Sequence, residues 1–508
     1  MQLIGEMLDS TARAYPKSEA ILFRDEKITY SEFNQAVNML ANGLKRVGIG
    51  KGDPVMVQLS NGPEIAMTHY ATIKAGGIVV PLNVMYVAHE ISYIGADTGA
   101  KAIIMDKAFL PVLEEIRAHL PELRHVIVVG EPVPEGALSF QHVMSNSPDR
   151  LDRYEADYDD IVSIIYTSGT TGRPKGATQT HRSILSNVAS CCYVNKFTRE
   201  DRLLCALPLF NNFAVNVVMM SAFYSGAALV VVGRFEAEEV LAHMSDKRAT
   251  YFAGTPTMFV YLLQAYDPAR HNLGPLRVVN SGGAHCPEQV IEDVEKTFGV
   301  IHLDGYGQTE GCGFTTLNPI VGVRKKDSVG VPIADIWVKI VDDDSVELQP
   351  RQVGEIILKG DVFSVHGYWK RSEINEETYR GGWFHSGDLG YLDEDGYLYI
   401  VDRKQDLIIT GGANIYPVEV EQILYTNPAV ALAAVIGVPD EVKGELAKAY
   451  IVLKEGKSAS EREIIDYVRA NIAKYKAPRM VEFVSSLPQG PTGKILKREL
   501  RRQVLEEG

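Results

Sequence analysis

Cysteine is scarce in this sequence: five residues in 508, Cys191, Cys192, Cys205, Cys286 and Cys312. An odd number without ligand spacing fits neither a disulfide framework nor a zinc site. These thiols read as small buried hydrophobes, and a reducing cytoplasm is the expected compartment. An excess of positive charge is also lacking. The 65 acidic residues outnumber 51 basic ones and give a formal net charge of −14. Binding a nucleic-acid backbone needs clustered Lys and Arg, so no such partner is expected. Long apolar runs are missing too. None approaches the roughly 18 residues of a membrane span, and the start of the chain has no basic segment leading into an apolar core. The nearest stretch, Val215 to Gly233, is interrupted by Asn216, Ser221, Ser225 and Gly226. It reads as a buried helix, a glycine stop and a strand. Internal repeats of 20–50 residues and low-complexity tracts are absent as well.

What is present is an ordinary globular composition, 46% hydrophobic and 23% charged, in a chain long enough for two to four folding units. Over the first 400 residues, short β-branched runs alternate with amphipathic segments. Strands are expected at Pro54–Leu59, Ile78–Pro81, Ala102–Met105 and His125–Val129, with helices at Tyr30–Val47 and Pro63–Ala75. A second cycle includes a helix at Ala214–Tyr224 and strands at Tyr251–Ala253 and Leu276–Asn280. Alternation of this kind predicts α/β architecture with largely parallel sheets. From about 328 to 401 the strands shorten and lie close to turns, as in a barrel-like or meandering β unit. A further small α/β unit follows a boundary at about 403–406.

Five segments carry candidate chemistry. After the apolar run Ile161–Ile165 comes Tyr166-Thr167-Ser168-Gly169-Thr170-Thr171-Gly172-Arg173-Pro174-Lys175-Gly176. Glycines free backbone N–H groups to face an anion, hydroxyls add donors and Lys175 adds a point charge. The spacing does not match the common G-x-x-x-x-G-K-S/T phosphate loop, and a plain polar loop is the alternative. Gly305-Tyr306-Gly307-Gln308-Thr309-Glu310 offers a close backbone approach, a ring to stack and a hard oxygen for Mg²⁺. Asp388, in His385-Ser386-Gly387-Asp388, suits a ribose diol or a turn. The charged run Asp402–Asp406 leads to the pair Gly411-Gly412. Finally, Pro491-Thr492-Gly493-Lys494 holds a lysine at a loop tip, where a solvated surface charge is the alternative.

Together, in this order and rough spacing, the five segments resemble the adenylate-forming superfamily, and most closely its AMP-forming acyl-CoA synthetases. The resemblance covers essentially the whole chain. It implies a large N-terminal domain, 1–402, of two stacked α/β sheets plus a distorted β-barrel at about 328–401. A hinge at 403–406 and a small mobile α+β C-terminal domain, 407–508, complete the expected architecture. The implied substrates and cofactors are a small-molecule carboxylic acid, ATP, Mg²⁺ and coenzyme A; a homodimer is admitted.

The resemblance further implies roles. The acid attacks the α-phosphate of ATP to give an acyl-adenylate and pyrophosphate, and the thiol of coenzyme A then displaces AMP. Lys494 would compensate charge between the carboxylate and the α-phosphate, Thr309 would hold that phosphate, and Glu310 would be the protein ligand to Mg²⁺. Thr167, Ser168, Gly169, Thr170, Thr171, Gly172 and Lys175 would embrace the β- and γ-phosphates. Gly283, Ala284, Asp304, Gly305, Tyr306 and Gly307 would line the adenine slot, with Asp388 and Arg403 on the ribose. Gly411 and Gly412 would serve the thiol step after the small domain swings about Gln405, where relatives more often carry Asp or Lys. The expected acid pocket comprises Phe210, Asn211, Phe213, Val218 and Tyr251. Asn211 stands where relatives usually have histidine or an aromatic residue. No aspartate lies nearby to pair a substrate ammonium. An apolar wall, at about 0.8 kcal/mol per buried CH₂, favours a medium- or longer-chain fatty acid, then an alicyclic or aromatic acid. The alternatives are an acyl-AMP ligase that loads a carrier protein, although its usual insertion is not seen, and a non-catalytic adenylate binder.

Overall fold

The computed structural model describes residues 3–145, 147–151, 156–167, 174–404, 406–411, 413–440 and 442–507. Two large sheets dominate. The first has seven strands in the order Leu138–Ser139, His125–Val129, Ala102–Asp106, Pro54–Gln58, Ile78–Pro81, Ile161–Thr167 and Lys175–Thr180. The second has nine and is parallel through Glu19–Phe23, Ala228–Val231, Arg202–Cys205, Tyr251–Gly254, Val278–Ser281 and Ile301–Gln308. Every residue of Pro54–Gln58 and of Ala228–Val231 is buried. Such continuous apolar strands belong to sheets covered on both faces.

Helices follow the expected periodicity. Tyr30–Arg46 buries Phe33, Val37, Leu40, Ala41 and Leu44 along one face. It starts at Thr29, whose hydroxyl accepts from Glu32 N at 3.3 Å while Glu32 accepts from Thr29 N at 2.9 Å. A cap of this kind stabilises by about 1 kcal/mol.

Residues Ile336–Val341, Gly354–Gly360, Phe384–Leu392 and Leu398–Arg403 form a four-stranded antiparallel meander. The main hydrophobic core extends from Ile4 to Leu398, and a separate one begins at Ile408. That second core lies under a five-stranded sheet built around the long hairpin Val430–Asp440 and Gly444–Leu453. All five cysteines are free and buried. Among the described residues no helix is long and apolar enough to cross a membrane.

One expected element differs. In place of a regular helix over Ala214–Tyr224, the chain makes a π-helix at Phe213–Met220 and a short α-helix at Ser221–Ser225. Val215, Val217 and Val218 crowd an α turn. Asn216 is meanwhile held by bonds outside its own helix, to Gln179 and to the Cys312 carbonyl. A wider turn accommodates both constraints.

Candidate active site

The site residues gather at the carboxyl ends of Tyr251–Gly254, Val278–Ser281 and Ile301–Gln308, where open α/β sheets present ligands. Ser281 and Asp304 are register partners there, and the Ser281 hydroxyl bonds the Asp304 carboxyl. Burial pushes that carboxyl up to about 7, against the pull of Ser281 and Gly305 N–H. Gly283, at φ +81, and Ala284 follow as an exposed rim. A Cβ at Gly307 would lie 1.9 Å from the Gly313 carbonyl oxygen, so only glycine fits this backbone approach.

The Tyr306 hydroxyl donates to Asp388 Oδ2 at 2.6 Å, and Arg403 Nε lies 3.4 Å from Oδ1. Asp388 and Arg403 also face each other across two antiparallel strands. Tyr306, Asp388 and Arg403 therefore form one ionic cluster. Lys494 reaches the same electrostatic field from the small domain. Burial, then the Arg403 cation, lowers its ammonium to about 8, while Asp388 and Asp406 oppose the shift. Its loop is seated on the large domain: a Cβ at Gly493 would lie 3.0 Å from Thr255 Oγ1, and Gln489 Nε2 donates to the Tyr261 hydroxyl at 3.4 Å. Gly493 has φ +77, so a side chain there would be strained as well as crowded.

Glu310 lies on the one-turn 3₁₀ helix Thr309–Gly311 and accepts from the Tyr368 hydroxyl at 2.5 Å. Burial raises its carboxyl and the Tyr368 bond offsets part of the rise. Lys175 Nζ sits 5.3 Å from the Tyr368 ring centre. One carboxylate beside phosphate oxygens suits Mg²⁺, which keeps most of its ligands as water and substrate oxygens. No group of three or more His, Cys, Asp or Glu placed to hold a metal ion occurs among the described residues. Thr167 pairs with Lys175 at the neck of the glycine loop. Ser168, Gly169, Thr170, Thr171, Gly172, Gln405 and Gly412 lie outside the described residues.

The expected acid wall is brought together only in part. Phe213 meets Phe314 edge to face, with ring centres 5.2 Å apart. A Cβ at Gly282 would lie 3.0 Å from Phe314 and 3.3 Å from Phe213. Phe210 is buried close by in sequence, and Asn211 accepts from Phe213 N at 2.8 Å. Tyr251 is a correction. It starts its strand, about three residues or 10 Å from the carboxyl end, and its ring edge packs on Phe197 in the core. Val218 is also core, as is its neighbour Val217, which in addition reaches the Gly313 turn. Sequence reasoning missed Tyr368 and the amides Gln179, Asn212 and Asn216. The available signal for Gln179 was a long polar side chain inside an otherwise small-residue buried strand, Lys175–Thr180.

On the small domain a cleft of about 290 Å³ is lined by Gly411, Lys443, Tyr475 and Arg479, among others. Lys443 and Arg479 are cationic and the Tyr475 ring is exposed.

The AMP-binding enzyme family matches residues 8–369, and the AMP-binding enzyme C-terminal domain matches residues 419–494. The chain is similar to the long-chain-fatty-acid–CoA ligase FadD13 of Mycobacterium tuberculosis, with 34% identity over 99% of both chains. Its structure is similar to that of the anthranilate CoA ligase AuaEII in complex with anthranoyl-AMP. There the TM-score is 0.95 at 30% identity, covering 100% of this chain and 98% of the other. MatB from Rhodopseudomonas palustris is similar in two states. The ATP-bound form gives a TM-score of 0.89 at 30% identity, over 98% of each chain. The apo form gives 0.79 at 31%, over 98% of this chain and 99% of that one.

Proposed function

We propose that this chain, which belongs to the AMP-binding enzyme family and is an AMP-forming acid–thiol ligase, activates a ring-sized hydrophobic carboxylic acid and passes it to coenzyme A. The observation that carries this reading is the seating of the Lys494 loop, from the small domain, against Thr255 and Tyr261 on the large one, which buries the lysine in the field of Asp388 and Arg403. The first half-reaction brings a carboxylate toward a phosphate, so its barrier is chiefly electrostatic. Lys494 is the cation placed to compensate charge as the acyl–phosphate bond forms. Thr309 holds the α-phosphate, Lys175 the distal phosphates, and Asp388 with Arg403 the ribose. Asp304 and Tyr306 bound the adenine. Glu310 would hold Mg²⁺, which supplies charge neutralisation on the phosphate oxygens when bound.

The MatB pair supports assigning the present domain arrangement to adenylation. The two states are nearly equal in identity to this chain, yet the ATP-bound one superposes better. Thioester formation then needs Lys494 withdrawn, and the cleft beside Gly411 is the proposed seat for coenzyme A. Lys443 and Arg479 there offer charge for its phosphates, and Tyr475 a face for its adenine. Rotation of the small domain would keep water from the adenylate between steps.

For the acid, the Phe213–Phe314 pair and the close glycine at 282 favour a planar ring over the straight chain that composition alone favours. A fatty acid is the second reading, supported by the apolar Val217 behind the Gly313 turn. The test is AMP release from benzoate, cinnamate, octanoate and palmitate, with and without coenzyme A. Ring acids are expected to lead and thioester to appear only with coenzyme A. Acid-independent AMP release, or none with any acid, defeats the ligase reading; a palmitate optimum defeats the ring-acid reading alone.

A further inference from the structure

Three buried side-chain amides bridge the acid side and the phosphate side of the site. Gln179 Nε2 donates to Asn212 Oδ1 at 2.7 Å and to the Thr309 carbonyl at 3.0 Å. Asn216 Nδ2 donates to Asn212 Oδ1 at 2.8 Å, to Gln179 Oε1 at 3.2 Å and to the Cys312 carbonyl at 3.0 Å. All three residues are buried, with exposures of 1%, 6% and 0% for Gln179, Asn212 and Asn216. They come from separate pieces of chain. Gln179 is on the strand Lys175–Thr180, Asn216 is inside the π-helix Phe213–Met220, and Asn212 immediately precedes it. The recipients are the backbone carbonyls at both ends of the turn that carries Thr309 and Glu310. That turn is irregular: Cys312 has φ +60. Asn187 completes its hold by donating to the carbonyls of Gly311 and Phe314 at 3.1 and 2.7 Å.

Turn carbonyls in a buried setting need donors, and a hydroxyl or water would satisfy them without connecting anything. The amides instead make the π-helix, whose first residue Phe213 faces the acid, and the Thr309–Glu310 turn one hydrogen-bonded body. We infer that Gln179, Asn212 and Asn216 are positioning residues for adenylation, fixing the separation between the acid's carboxylate and the α-phosphate. This rests on the ligase reading above. A shift of about 1 Å between reacting groups is enough to cost about a hundredfold in rate. Gln179 is the decisive member because it stands outside the π-helix and donates both to Asn212 and to the Thr309 carbonyl, next to the phosphate-side residue itself. The wide π turn has a reason in the same terms. It carries Asn216 to where its Nδ2 reaches both Asn212 Oδ1 and the Cys312 carbonyl.

The test measures two half-reactions in the full chain, using whichever of benzoate, cinnamate and octanoate gives the fastest wild-type AMP release. Adenylation is read as acid-dependent ATP–pyrophosphate exchange, and thioester formation as conversion of the synthetic acyl-adenylate by coenzyme A. Gln179→Leu is expected to lower the exchange kcat by about ten- to a hundredfold, with the KM for ATP within about threefold. Thioester formation should stay within about threefold of wild type. Gln179→Glu keeps the length and an acceptor for Asn216 but, even protonated, has a single O–H for two acceptors, so it should show the same split. Exchange within twofold of wild type in both variants overturns the inference. So does equal loss of both half-reactions with a lowered unfolding midpoint, which assigns the amides to stability alone. A wild-type protein without acid-dependent exchange would instead overturn the ligase reading on which the inference rests.

Discussion

The proposed nucleotide side and the proposed acid side of the site are built on different principles. On that nucleotide side, Asp304, Tyr306, Asp388 and Arg403 sit on paired strands, in register with partners that fix their backbones. On the acid side, the wall is a π-helix and an irregular turn, held by side-chain amides rather than by sheet register. A site on paired strands is specified by short local segments. A wall of the second kind depends on contacts between residues as far apart as Gln179 and Thr309. The first should therefore serve any acid alike, and the second should decide which acid is used.

The sharpest way to break that contrast is Lys494→Ala, because the lysine belongs to neither wall and arrives from the other domain. Removing a preorganised charge of this kind costs about 10²–10³ in rate. ATP–pyrophosphate exchange should fall by that amount, and equally for every acid in the panel. Thioester formation from supplied acyl-adenylate should persist, since the proposed mechanism withdraws Lys494 for that step. Exchange that survives intact would remove Lys494 from its assigned role.

The acidity of the same residue gives a prediction without mutation. Burial and the Arg403 cation lower its ammonium from the ordinary lysine value to about 8. In the proposed role the charged form is the active one, so adenylation should be present below about pH 8 and be lost as pH rises through it. The kcat/KM of exchange, which reports the free enzyme, should drop about tenfold per pH unit above that point. Thioester formation from acyl-adenylate should not follow the same curve. A parallel fall in both would place the titrating group elsewhere.

How much of this was legible in the sequence follows the same division. Helix Pro63–Ala75 and strands Ile78–Pro81 and His125–Val129 end where periodicity, proline and glycine put them. The nucleotide-side motifs are contiguous, and Gly305-Tyr306 and Asp388 are recognisable as strings. Tyr251 was misplaced because an apolar strand residue carries no mark of which end of its strand meets the ligand. The π-helix was missed because valines and an asparagine read as an ordinary buried helix until Gln179 and Cys312 are seen beside them. Tyr368, some 60 residues from Glu310, has no local signal linking it to that carboxylate.

On the acid wall, Phe314→Ala should exchange one preference for another rather than lower everything. Loss of the ring opens the space between Gly282 and Gly305, where a Cβ now would lie 3.0 and 2.7 Å from it. Discrimination in a hydrophobic pocket is worth about 10–200-fold per methylene-sized change. We expect the octanoate-to-benzoate ratio of kcat/KM to rise about tenfold, with the KM for ATP unchanged. A uniform loss over all acids would mean that Phe314 supports the fold and not the choice of substrate.

Tyr306→Phe is the matching probe of the nucleotide wall, and its effect should be the smallest. The variant removes the 2.6 Å bond to Asp388 but leaves the ring at the proposed adenine site and keeps Asp388 opposite Arg403 in the sheet. A hydrogen bond to a charged group is worth about 1.5–3 kcal/mol in general. Here the freed carboxylate oxygen regains water or ribose, so the net effect should stay near the bottom of that range. We expect the KM for ATP to rise about five- to tenfold, kcat to change little, and the ranking of acids to stay as in the wild type. A changed acid ranking would show that the two walls are coupled through Tyr306, whose backbone carbonyl accepts from Thr315, next to Phe314. An unchanged ranking would leave the Gln179 amides as the bridge between the walls.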